Sequence, residues 1–543
     1  MSDTAVGSRA FREGYAQPSR QARGVVSVPR SVPEYLVAGK DPERPALIMS
    51  GEERSYGEVI AGSLTIAQWL VRSGAHKGER VTLLAENGYF WVIAYLGTLL
   101  AGMVSVPLAP TIENEDLRDI LGATEPAFAL VQAKLLRRVG VQLANISCLT
   151  DRQVSASNMM PTAENMTRLP VDAGLPPVFE DDLAAVIFTS GSTGRPRGVM
   201  LSHSNIIANT DSIVEYLRLT PRDRVMTVLP FYYCFGTSLL HTHLRAGGTL
   251  VIHPGIMYPQ RLLERMGETE CTGFAGVPSH YQIILRRSSL KKMRFPHLRY
   301  VQQAGGHLAP SFIRELREAL PSVQIFIMYG QTEATARLSY LPPELIETKA
   351  GSVGKGIPGV KLQVVNEGGQ PVQPGEIGEI VAEGSNIAKG YWRAAEETAA
   401  KFRVGKLYTG DLATIDDEGF IYIVDRASDF LKCGGKRVSC SAIEEVLLEF
   451  AGLLEAAVIS MPDEVLGEAP KAFVVTRNGD GANLKRELQD FCKLRLPLPL
   501  VPKQILIVDS LPKNGAGKVL KSVLKEMPNP MQELVEDARS ATN

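Results

Sequence analysis

Residues 188–203 have the sequence FTSGSTGRPRGVMLSH, which combines residue types that bind phosphate. Glycines let a backbone approach a ligand closely, and successive N–H groups in such a loop form an anion-binding concavity. Gly191 and Gly194 are three residues apart, so the spacing matches neither a Walker A loop nor the dinucleotide fingerprint. Arg195 and Arg197 add positive charge, and four hydroxyl side chains add donors: Thr189, Ser190, Ser192 and Thr193. Taken alone, the stretch is compatible with a phosphate loop or with an ordinary surface loop.

Four further segments carry charged residues beside glycine-rich turns, and each has a simpler interpretation when taken alone. Glu333 could pair with Arg337, four residues later on a helix. Asp411 could stabilise a turn, Arg426 could be a surface ion-pair residue, and Lys518 could be a solvated lysine. The four segments are AGGHLAP (304–310), MYGQTEATAR (328–337), the stretch 408–439 and LPKNGAGKVLK (511–521).

Composition excludes several classes of protein. The length of 543 residues suggests three or four domain-sized units. A net charge of −1 argues against nucleic acid or an anionic membrane surface as a partner. The six cysteines form no C-x-x-C motif, which argues against a zinc site and favours reduced thiols. The first 24 residues contain no apolar stretch typical of a signal peptide, so we expect a cytoplasmic protein.

One segment, residues 90–109, contains no charged residue over a length that would span a bilayer. We predict a buried helix followed by a buried strand instead, because Gly102 offers a helix stop and VSVPL is typical of a strand.

The elements that must position the polar segments alternate between apolar strands and amphipathic helices. This alternation predicts an α/β fold: a large N-terminal domain of two parallel-rich α/β subdomains and a small β-rich subdomain, then a small mobile α+β C-terminal domain. Ser441 and Glu444 have capping-box spacing for a helix near the start of the C-terminal domain. The predicted division is a leader (1–29), an N-terminal domain (30–425, with subdomains of about 30–180, 181–345 and 346–425), a hinge (426–429), a C-terminal domain (430–527) and a tail (528–543).

Taken together and in this order, the five segments resemble the acyl-adenylate-forming superfamily, which includes acyl-CoA synthetases, adenylation domains of peptide synthetases and firefly luciferase. The resemblance covers roughly residues 30–525. It implies that the chain uses ATP, Mg²⁺ and coenzyme A, or a phosphopantetheine arm, to convert a carboxylic acid to an acyl-adenylate and then to a thioester. The 189–198 loop would then close over the β- and γ-phosphates.

The resemblance also implies roles for individual residues. The catalytic residues would be Lys518, Thr193, Glu333 and Lys432; Glu333 and Thr189 would hold the metal. Tyr233, Gly236 and Gly305 would contact the acid, Gly435 would contact coenzyme A, and Ser428 would be the hinge. The nucleotide would be bound by Thr189, Ser190, Gly191, Ser192, Thr193, Gly194, Gly305, Gly306, His307, Tyr329, Gly330, Gln331, Thr332, Asp411, Ile423, Arg426 and Lys518.

The chemistry explains why cationic groups are needed. A carboxylate must attack a phosphate that is itself anionic, so positive charge has to lie between them where the transition state builds charge. In the family, the C-terminal domain then rotates about its hinge. Here that rotation would withdraw Lys518 and bring the 432–439 loop toward the site for the second step.

Two departures from the family pattern are visible. Arg197 stands where the loop usually ends in lysine, which keeps the charge but replaces a point charge with a fork. After the hinge, Cys440-Ser441-Ala442-Ile443-Glu444 replaces the usual P-x-E-I-E, which puts the second half-reaction in doubt.

The acid and the acceptor are less specified. The segment PFYYCFG (230–236) is apolar and aromatic, and no Asp or Glu occurs from 224 to 263, which disfavours a free amino acid. We therefore favour a medium or long aliphatic acid, with an aryl acid second. Coenzyme A is favoured over an acyl carrier protein as acceptor because no extra insertion is evident. A ligase that stops at the adenylate and a catalytically inactive binding protein stay open as alternatives.

Overall fold

The computed structural model describes residues 31–156, 174–190, 196–426, 430–433, 436–476, 483–513, 517 and 519–527. The strands in chain order are β1 (Pro45–Met49), β2 (Glu52–Ser55), β3 (Arg80–Leu84), β4 (Val104–Leu108), β5 (Phe128–Val131), β6 (Ser147–Thr150), β7 (Leu183–Ser190), β8 (Pro196–Ser202), β9 (Arg224–Thr227), β10 (Thr249–Ile252), β11 (Gly273–Gly276), β12 (Tyr300–Gln303), β13 (Gln324–Tyr329), β14 (Ser339–Leu341), β15 (Lys355–Gly356), β16 (Val360–Val365), β17 (Gly378–Gly384), β18 (Phe402–Arg403), β19 (Lys406–Ile415), β20 (Ile421–Arg426), β21 (Phe430–Cys433), β22 (Lys436–Ser439), β23 (Leu453–Asp463), β24 (Gly467–Thr476) and β25 (Gln504–Ile507).

Helices alternate with the strands through most of the chain, as the sequence predicts for an α/β fold. They are α1 (Val32–Val37), α2 (Tyr56–Arg72), α3 (Tyr89–Leu100), α4 (Asn114–Thr124), α5 (Leu136–Val139), α6 (Asp151–Ala156), α7 (His203–Leu217), α8 (Cys234–Ala246), α9 (Pro259–Glu268), α10 (Pro278–Arg287), α11 (Pro310–Ala319), α12 (Ala395–Lys401), α13 (Cys440–Leu448), α14 (Leu484–Lys493) and α15 (Lys521–Glu526).

Two large sheets form the first part of the molecule. A six-stranded sheet has the order β6-β5-β3-β4-β7-β8 and is parallel except for β8, which forms an antiparallel hairpin with β7. A nine-stranded sheet has the order β15-β14-β13-β12-β11-β9-β10-β1-β2, with a parallel centre and antiparallel edges. One buried core joins α2 and α3 to strands of both sheets, and the fold class predicted from the sequence is confirmed.

The chain crosses between these sheets, which differs from a division near residue 180. Strand β1 pairs with β10 in the nine-stranded sheet, while β7 and β8 complete the six-stranded sheet. The pairing of Leu47 with Leu250 joins residues about 200 positions apart, and such long-range register leaves no mark on local composition.

The charge-free segment 90–109 forms most of α3 and all of β4, both buried, with Gly102 at φ 70° between them. The predicted helix-to-strand interpretation is therefore confirmed. In the parts of the chain that the structure describes, no helix has the length and apolar composition needed to cross a membrane.

Two smaller sheets follow. Strands β16, β17, β18, β19 and β20 make an antiparallel sheet, and the DDEG segment turns between β19 and β20 as predicted. Strands β21 to β25 make the last sheet, with α13 packed on β23. The predicted cap of this helix was wrong: Ser439, not Ser441, accepts from the N–H of Ala442 at 3.3 Å. The Glu444 carboxylate instead accepts from the N–H of Val458 at 2.7 Å, so a tertiary contact replaces the local one.

Candidate active site

The phosphate-loop segment connects the two strands of the β7–β8 hairpin. Thr189 pairs with Arg197 in register, and the Thr189 hydroxyl donates to the Arg197 carbonyl at 3.5 Å. Residues 191–195, which include Gly191, Ser192, Thr193 and Gly194, lie outside the described residues, as does the side chain of Ser190. The residues that flank this segment thus belong to the edge hairpin of the six-stranded sheet, in which residues 184–187 of β7 are buried.

A chain of polar contacts leads from this hairpin to Glu333. Arg197 Nε lies 2.6 Å from a carboxylate oxygen of Glu397, and its guanidinium lies 5.8 Å from the centre of the Tyr391 ring. The Tyr391 hydroxyl donates to Glu333 Oε1 at 2.7 Å. Burial and the Glu333 carboxylate both raise the pKa of Tyr391 well above its usual value, so Tyr391 stays a donor.

The alternative pairing of Glu333 with Arg337 is not found. Only Thr332–Ala334 is helical, as a single 3₁₀ turn, and Thr335 then adopts φ 66°. This backbone reversal ends the helix before Arg337 can come alongside Glu333.

The glycine turn at 304–308 approaches the start of α10. Gly305 has φ 86°, and a Cβ there would lie 3.0 Å from a methyl of Val277. The Gln303 side-chain amide donates to the Gly306 carbonyl at 2.7 Å and holds the turn. His307 Nε2 lies 2.6 Å from Glu445 Oε1 of α13, which joins this turn to the last part of the chain.

The end of β13 brings an aromatic ring and a carboxylate together. The Tyr329 hydroxyl donates to Asp411 Oδ2 at 2.6 Å, and both side chains are buried. A Cβ at Gly330 would lie 2.0 Å from the Ala336 carbonyl oxygen, so only glycine fits there. Gln331 Nε2 is buried and has no hydrogen-bond partner among the described residues, which leaves a donor for a ligand.

Strands β19 and β20 carry two further predicted residues. Asp411 is opposite Arg426, and Ile423 is opposite Ala413, in antiparallel register. Ile423 is half-buried, and the Arg426 side chain lies outside the described residues. The backbone thus brings positions 411 and 426 side by side, although they are fifteen residues apart in the chain.

The predicted acyl segment begins α8. Tyr233 is the residue before the helix, and a Cβ at Gly236 would lie 2.0 Å from the Pro230 carbonyl oxygen. The Thr332 hydroxyl donates to Cys234 Sγ at 3.3 Å. The first turn of α8 therefore directly contacts Thr332 in the segment QTE (331–333).

Lys518 lies outside the described residues, but its neighbour Gly517 does not. Ser279 Oγ donates to the Gly517 carbonyl at 3.1 Å, and a Cβ at Gly517 would lie 3.1 Å from a methyl of Val277. Val277 also lies next to Gly305. The side chain of Val277 therefore contacts both Gly517, the neighbour of Lys518, and the glycine turn.

The residues assigned to the second step are less fully described. Ser428 and Gly435 lie outside the described residues. Lys432 is exposed on β21, and its backbone N–H donates to Glu468 at 2.5 Å.

Metal binding would rest on few protein atoms. No three His, Cys, Asp or Glu side chains of the described chain come together as a metal-binding group. Glu333 and the hydroxyl of Thr189 fit a hard cation that takes its other oxygen ligands from phosphate and water.

Sequence reasoning missed Tyr391, Glu397, Cys234 and Val277. Each lies outside the glycine-rich motifs and reaches the site by tertiary packing. Signals were available for Cys234, which lies inside the apolar PFYYCFG segment, and for Val277, which lies inside the segment AGVPSHYQ (275–282).

The chain was compared with known proteins. Residues 36–392 match the family of AMP-binding enzymes, and residues 442–518 match the AMP-binding enzyme C-terminal domain. The feruloyl-CoA synthase of Amycolatopsis sp. is 32% identical over 496 residues, covering 90% of this chain and 96% of that protein. The long-chain-fatty-acid–CoA ligase of Bacillus subtilis strain 168 is 28% identical over 525 residues, covering 90% and 92%.

The chain is also similar to solved structures over nearly its whole length. The o-succinylbenzoate CoA synthetase of Bacillus subtilis, in complex with its acyl-adenylate intermediate, has a TM-score of 0.79 at 27% identity and covers 92% of this chain and 99% of that chain. The same protein has also been solved with ATP and magnesium ion.

Proposed function

We propose that this chain, which belongs to the AMP-binding enzyme family, carries out both steps of an AMP-forming acid–thiol ligase at the site described above. The family chemistry is ATP-dependent activation of a carboxylic acid followed by transfer to coenzyme A. In the first step, a carboxylate oxygen bonds to the α-phosphorus and pyrophosphate leaves. In the second, the thiol sulfur bonds to the acyl carbon, AMP leaves, and the thiol proton passes to solvent.

The adenosine would bind between the glycine turn and the end of β13. Gly305, Gly306 and His307 would line one side of the adenine, while Tyr329, Gly330 and Gln331 would line the other. Asp411 would accept from the ribose hydroxyls, with Ile423 and Arg426 beside it. The buried donor of Gln331, which has no partner among the described residues, supports this assignment.

The triphosphate would lie along the β7–β8 connection. Thr189, Ser190, Ser192 and Thr193 would donate to its oxygens, Gly191 and Gly194 would allow close approach, and Thr332 would contact the α-phosphate. Mg²⁺, held by Glu333 with Thr189, would offset the charge of the phosphates. The magnesium-containing neighbour structure supports this, and Tyr391 would hold the Glu333 carboxylate in position.

Lys518 would bridge the acid carboxylate and the α-phosphate in the first step. After rotation at Ser428, Lys432 and Gly435 would take its place near the site for thioester formation. The single observation that carries the first step is the contact of Gly517 with Val277 and Ser279, because it brings the lysine loop to the glycine turn that also faces Val277.

The acid would have an apolar body. Tyr233, Gly236 and Gly305 would contact it, and the apolar and aromatic segment PFYYCFG (230–236) supports an aliphatic or aryl chain. A fatty acid is the first candidate and an aryl acid the second. Both kinds of acid occur in the names of the relatives. Coenzyme A is the proposed acceptor, and a cytoplasmic location stays a prediction.

Acid-dependent exchange between ATP and labelled pyrophosphate tests the first step, and AMP release with and without coenzyme A tests the second. We expect exchange with at least one acid of an aliphatic and aryl panel, and coenzyme A–dependent AMP release with the same acid. Absence of exchange across the whole panel would contradict the proposal. AMP release that ignores coenzyme A would contradict the choice of acceptor.

A further inference from the structure

A buried positive charge lies beside the predicted acyl segment. The Arg337 side chain is 1% exposed, and its guanidinium lies 4.7 Å from the centre of the Phe235 ring. Among the described residues, neither Nε nor Nη2 has a hydrogen-bond partner, and no carboxylate forms a salt bridge with this side chain. A buried charge is costly unless an opposite charge or hydrogen bonds compensate it. A ligand that accepts hydrogen bonds from Nε and Nη2 would supply that compensation.

The backbone around Arg337 is held firmly. Its carbonyl accepts from the side-chain amides of Asn209 at 3.1 Å and Asn386 at 2.9 Å. The guanidinium also faces the Tyr216 hydroxyl, because Arg337 opposes the rise that burial causes in the Tyr216 pKa. The charge is therefore built into the structure between α7 and α8.

This location belongs to the acyl part of the site. Phe235, which lies under the guanidinium, is next to Gly236 and two residues from Tyr233. The intervening Cys234 accepts from Thr332, the residue proposed to contact the α-phosphate. The first turn of α8 therefore makes two contacts. Its Cys234 contacts Thr332, near the proposed position of the α-phosphate, and its Phe235 contacts the guanidinium of Arg337.

A second buried polar group faces the same core. Gln302 is 0% exposed, and both Nε2 and Oε1 lack a hydrogen-bond partner among the described residues. In register, Gln302 lies between Ala275 of β11 and Phe326 of β13, and residues paired in this way point to the same face of a sheet. Ala275 and Phe326 belong to the same buried cluster as Phe235 and Tyr216, the two neighbours of Arg337.

We propose that the acid carries a second carboxylate at its far end, which Arg337 binds and to which the Gln302 amide donates. The substrate class would then be a dicarboxylic acid with an aliphatic or aryl body. Nε and Nη2 are the two nitrogens whose N–H groups point along the same edge of a guanidinium, and this edge binds a carboxylate through two parallel hydrogen bonds. The inference rests on the proposed acid-activating function and adds what the far end of the acid must be.

The test compares acids of equal length that differ only at the far end. Pyrophosphate exchange is measured with α,ω-dicarboxylic acids, their monomethyl esters and the matching monocarboxylic acids. We expect kcat/KM for the best dicarboxylic acid to exceed that of its monocarboxylic partner about 100-fold, because an unmatched guanidinium would stay buried without its partner. The ester, which keeps an acceptor but loses the charge, should lie between them.

Variants test the residues. Arg337→Met keeps similar volume without charge, and it should lower dicarboxylate kcat/KM about 100-fold, mainly through KM, while raising that of the monocarboxylic acid. Gln302→Leu should give a smaller change in the same direction, and Arg337→Lys should keep part of the preference. Thermal unfolding of each variant checks folding; if Arg337→Met fails to fold, the Arg337→Lys and Gln302→Leu ratios decide.

Two outcomes separate this inference from the function on which it rests. The inference would be overturned, with acid activation left intact, if monocarboxylic acids supported more exchange than every dicarboxylic acid. In that case, the ratio of dicarboxylate to monocarboxylate kcat/KM would also be unchanged in Arg337→Lys and Gln302→Leu. Exchange with no acid at all would overturn both.

Discussion

The two ends of the site differ in how their buried polar groups are satisfied. At the nucleotide end (Tyr329, Asp411, Glu333 and Tyr391), both carboxylates already accept hydrogen bonds from tyrosine hydroxyls. At the proposed acyl end (Phe235, Arg337 and Gln302), Arg337 Nε and Nη2 and both polar atoms of the Gln302 amide are buried without a hydrogen-bond partner in the described part of the chain. The two carboxylates of the proposed nucleotide end are therefore oriented before a ligand arrives, although Gln331 Nε2 there is still a buried donor without a partner among the described residues. The proposed acyl end has more such groups and depends more on its ligand to complete its hydrogen bonds.

Lys518→Ala should have the largest effect, because it removes the cation proposed to link the two ends. We expect pyrophosphate exchange to fall about 10³-fold, the order of loss when a charge-stabilising group is removed from a transition state. Thioester formation from supplied acyl-adenylate should be retained. Lys525→Ala, an exposed lysine of α15, is the matched control. An equal loss of pyrophosphate exchange and of thioester formation would contradict the proposal that the C-terminal domain rotates between the two steps.

Gly330→Ala and Gly236→Ala probe one close backbone contact at each end. In both, the added Cβ would lie 2.0 Å from a carbonyl oxygen, so each should lower the free energy of unfolding by about 3 kcal/mol. Gly330→Ala should mainly raise KM for ATP, and Gly236→Ala should mainly raise KM for the acid. Gly267→Ala, in α9 with open space around it, should change stability by less than about 1 kcal/mol. If Gly330→Ala and Gly236→Ala changed KM for ATP and KM for the acid in the same way, the distinction between a nucleotide end and an acyl end would be wrong.

Acid pH should destabilise both ends through buried neutral histidines. Burial lowers the pKa of His243, whose Nε2 bonds to the Tyr300 hydroxyl on the acyl side, to about 4. Burial likewise lowers the pKa of His280, beside Gly517, to about 4. Below pH 6.5 the unfolded chain binds protons that the folded chain excludes, so stability falls as pH decreases toward 4. At pH 5 the loss should be about 2 kcal/mol for each histidine.

Denaturant unfolding at pH 5 and pH 7.5 measures this effect. His243→Gln and His280→Gln should each flatten the pH dependence. A pH dependence that neither variant changes would contradict the assignment to these two side chains.

Tyr329→Phe tests whether the nucleotide end is organised in advance. Removing the hydroxyl leaves the buried Asp411 carboxylate with one donor fewer, which should cost about 1–2 kcal/mol of stability. KM for ATP should rise about tenfold if the ribose contact depends on that orientation. Tyr408→Phe, a half-buried tyrosine of β19, is the control. A loss of stability with an unchanged KM for ATP would contradict the proposed contact of Asp411 with the ribose.

Glu445→Gln should have the smallest effect. Its contact with His307 Nε2 joins α13 to the glycine turn, but both side chains are 40% exposed, and such exposed pairs contribute at most about 1 kcal/mol. Exchange activity should change by less than about twofold. A large loss would show that this contact, rather than the Gly517 contacts, governs the approach of the lysine loop.

How far the sequence could lead depended on whether a feature is local. The alternation of strands and helices, the buried α3–β4 segment and the β19–β20 turn have local patterns and were predicted. The pairing of β1 with β10, and the contact of Tyr391 with Glu333, join distant parts of the chain and left no local signal. The simpler alternative for Glu333, a helical pairing with Arg337, does not occur because Thr335 reverses the backbone. The proposal that Arg337 belongs to the acyl end depends on the 4.7 Å distance between its guanidinium and the Phe235 ring, which the sequence does not show.

The ion pair of Arg197 with Glu397 affects how strongly the phosphate loop can hold its products. Under the proposed function, an incoming polyphosphate would have to displace a carboxylate already 2.6 Å from Arg197 Nε. ATP, with several negative charges, competes well for the guanidinium, whereas AMP competes poorly. The same carboxylate would recapture Arg197 when pyrophosphate departs, which would favour release of the product.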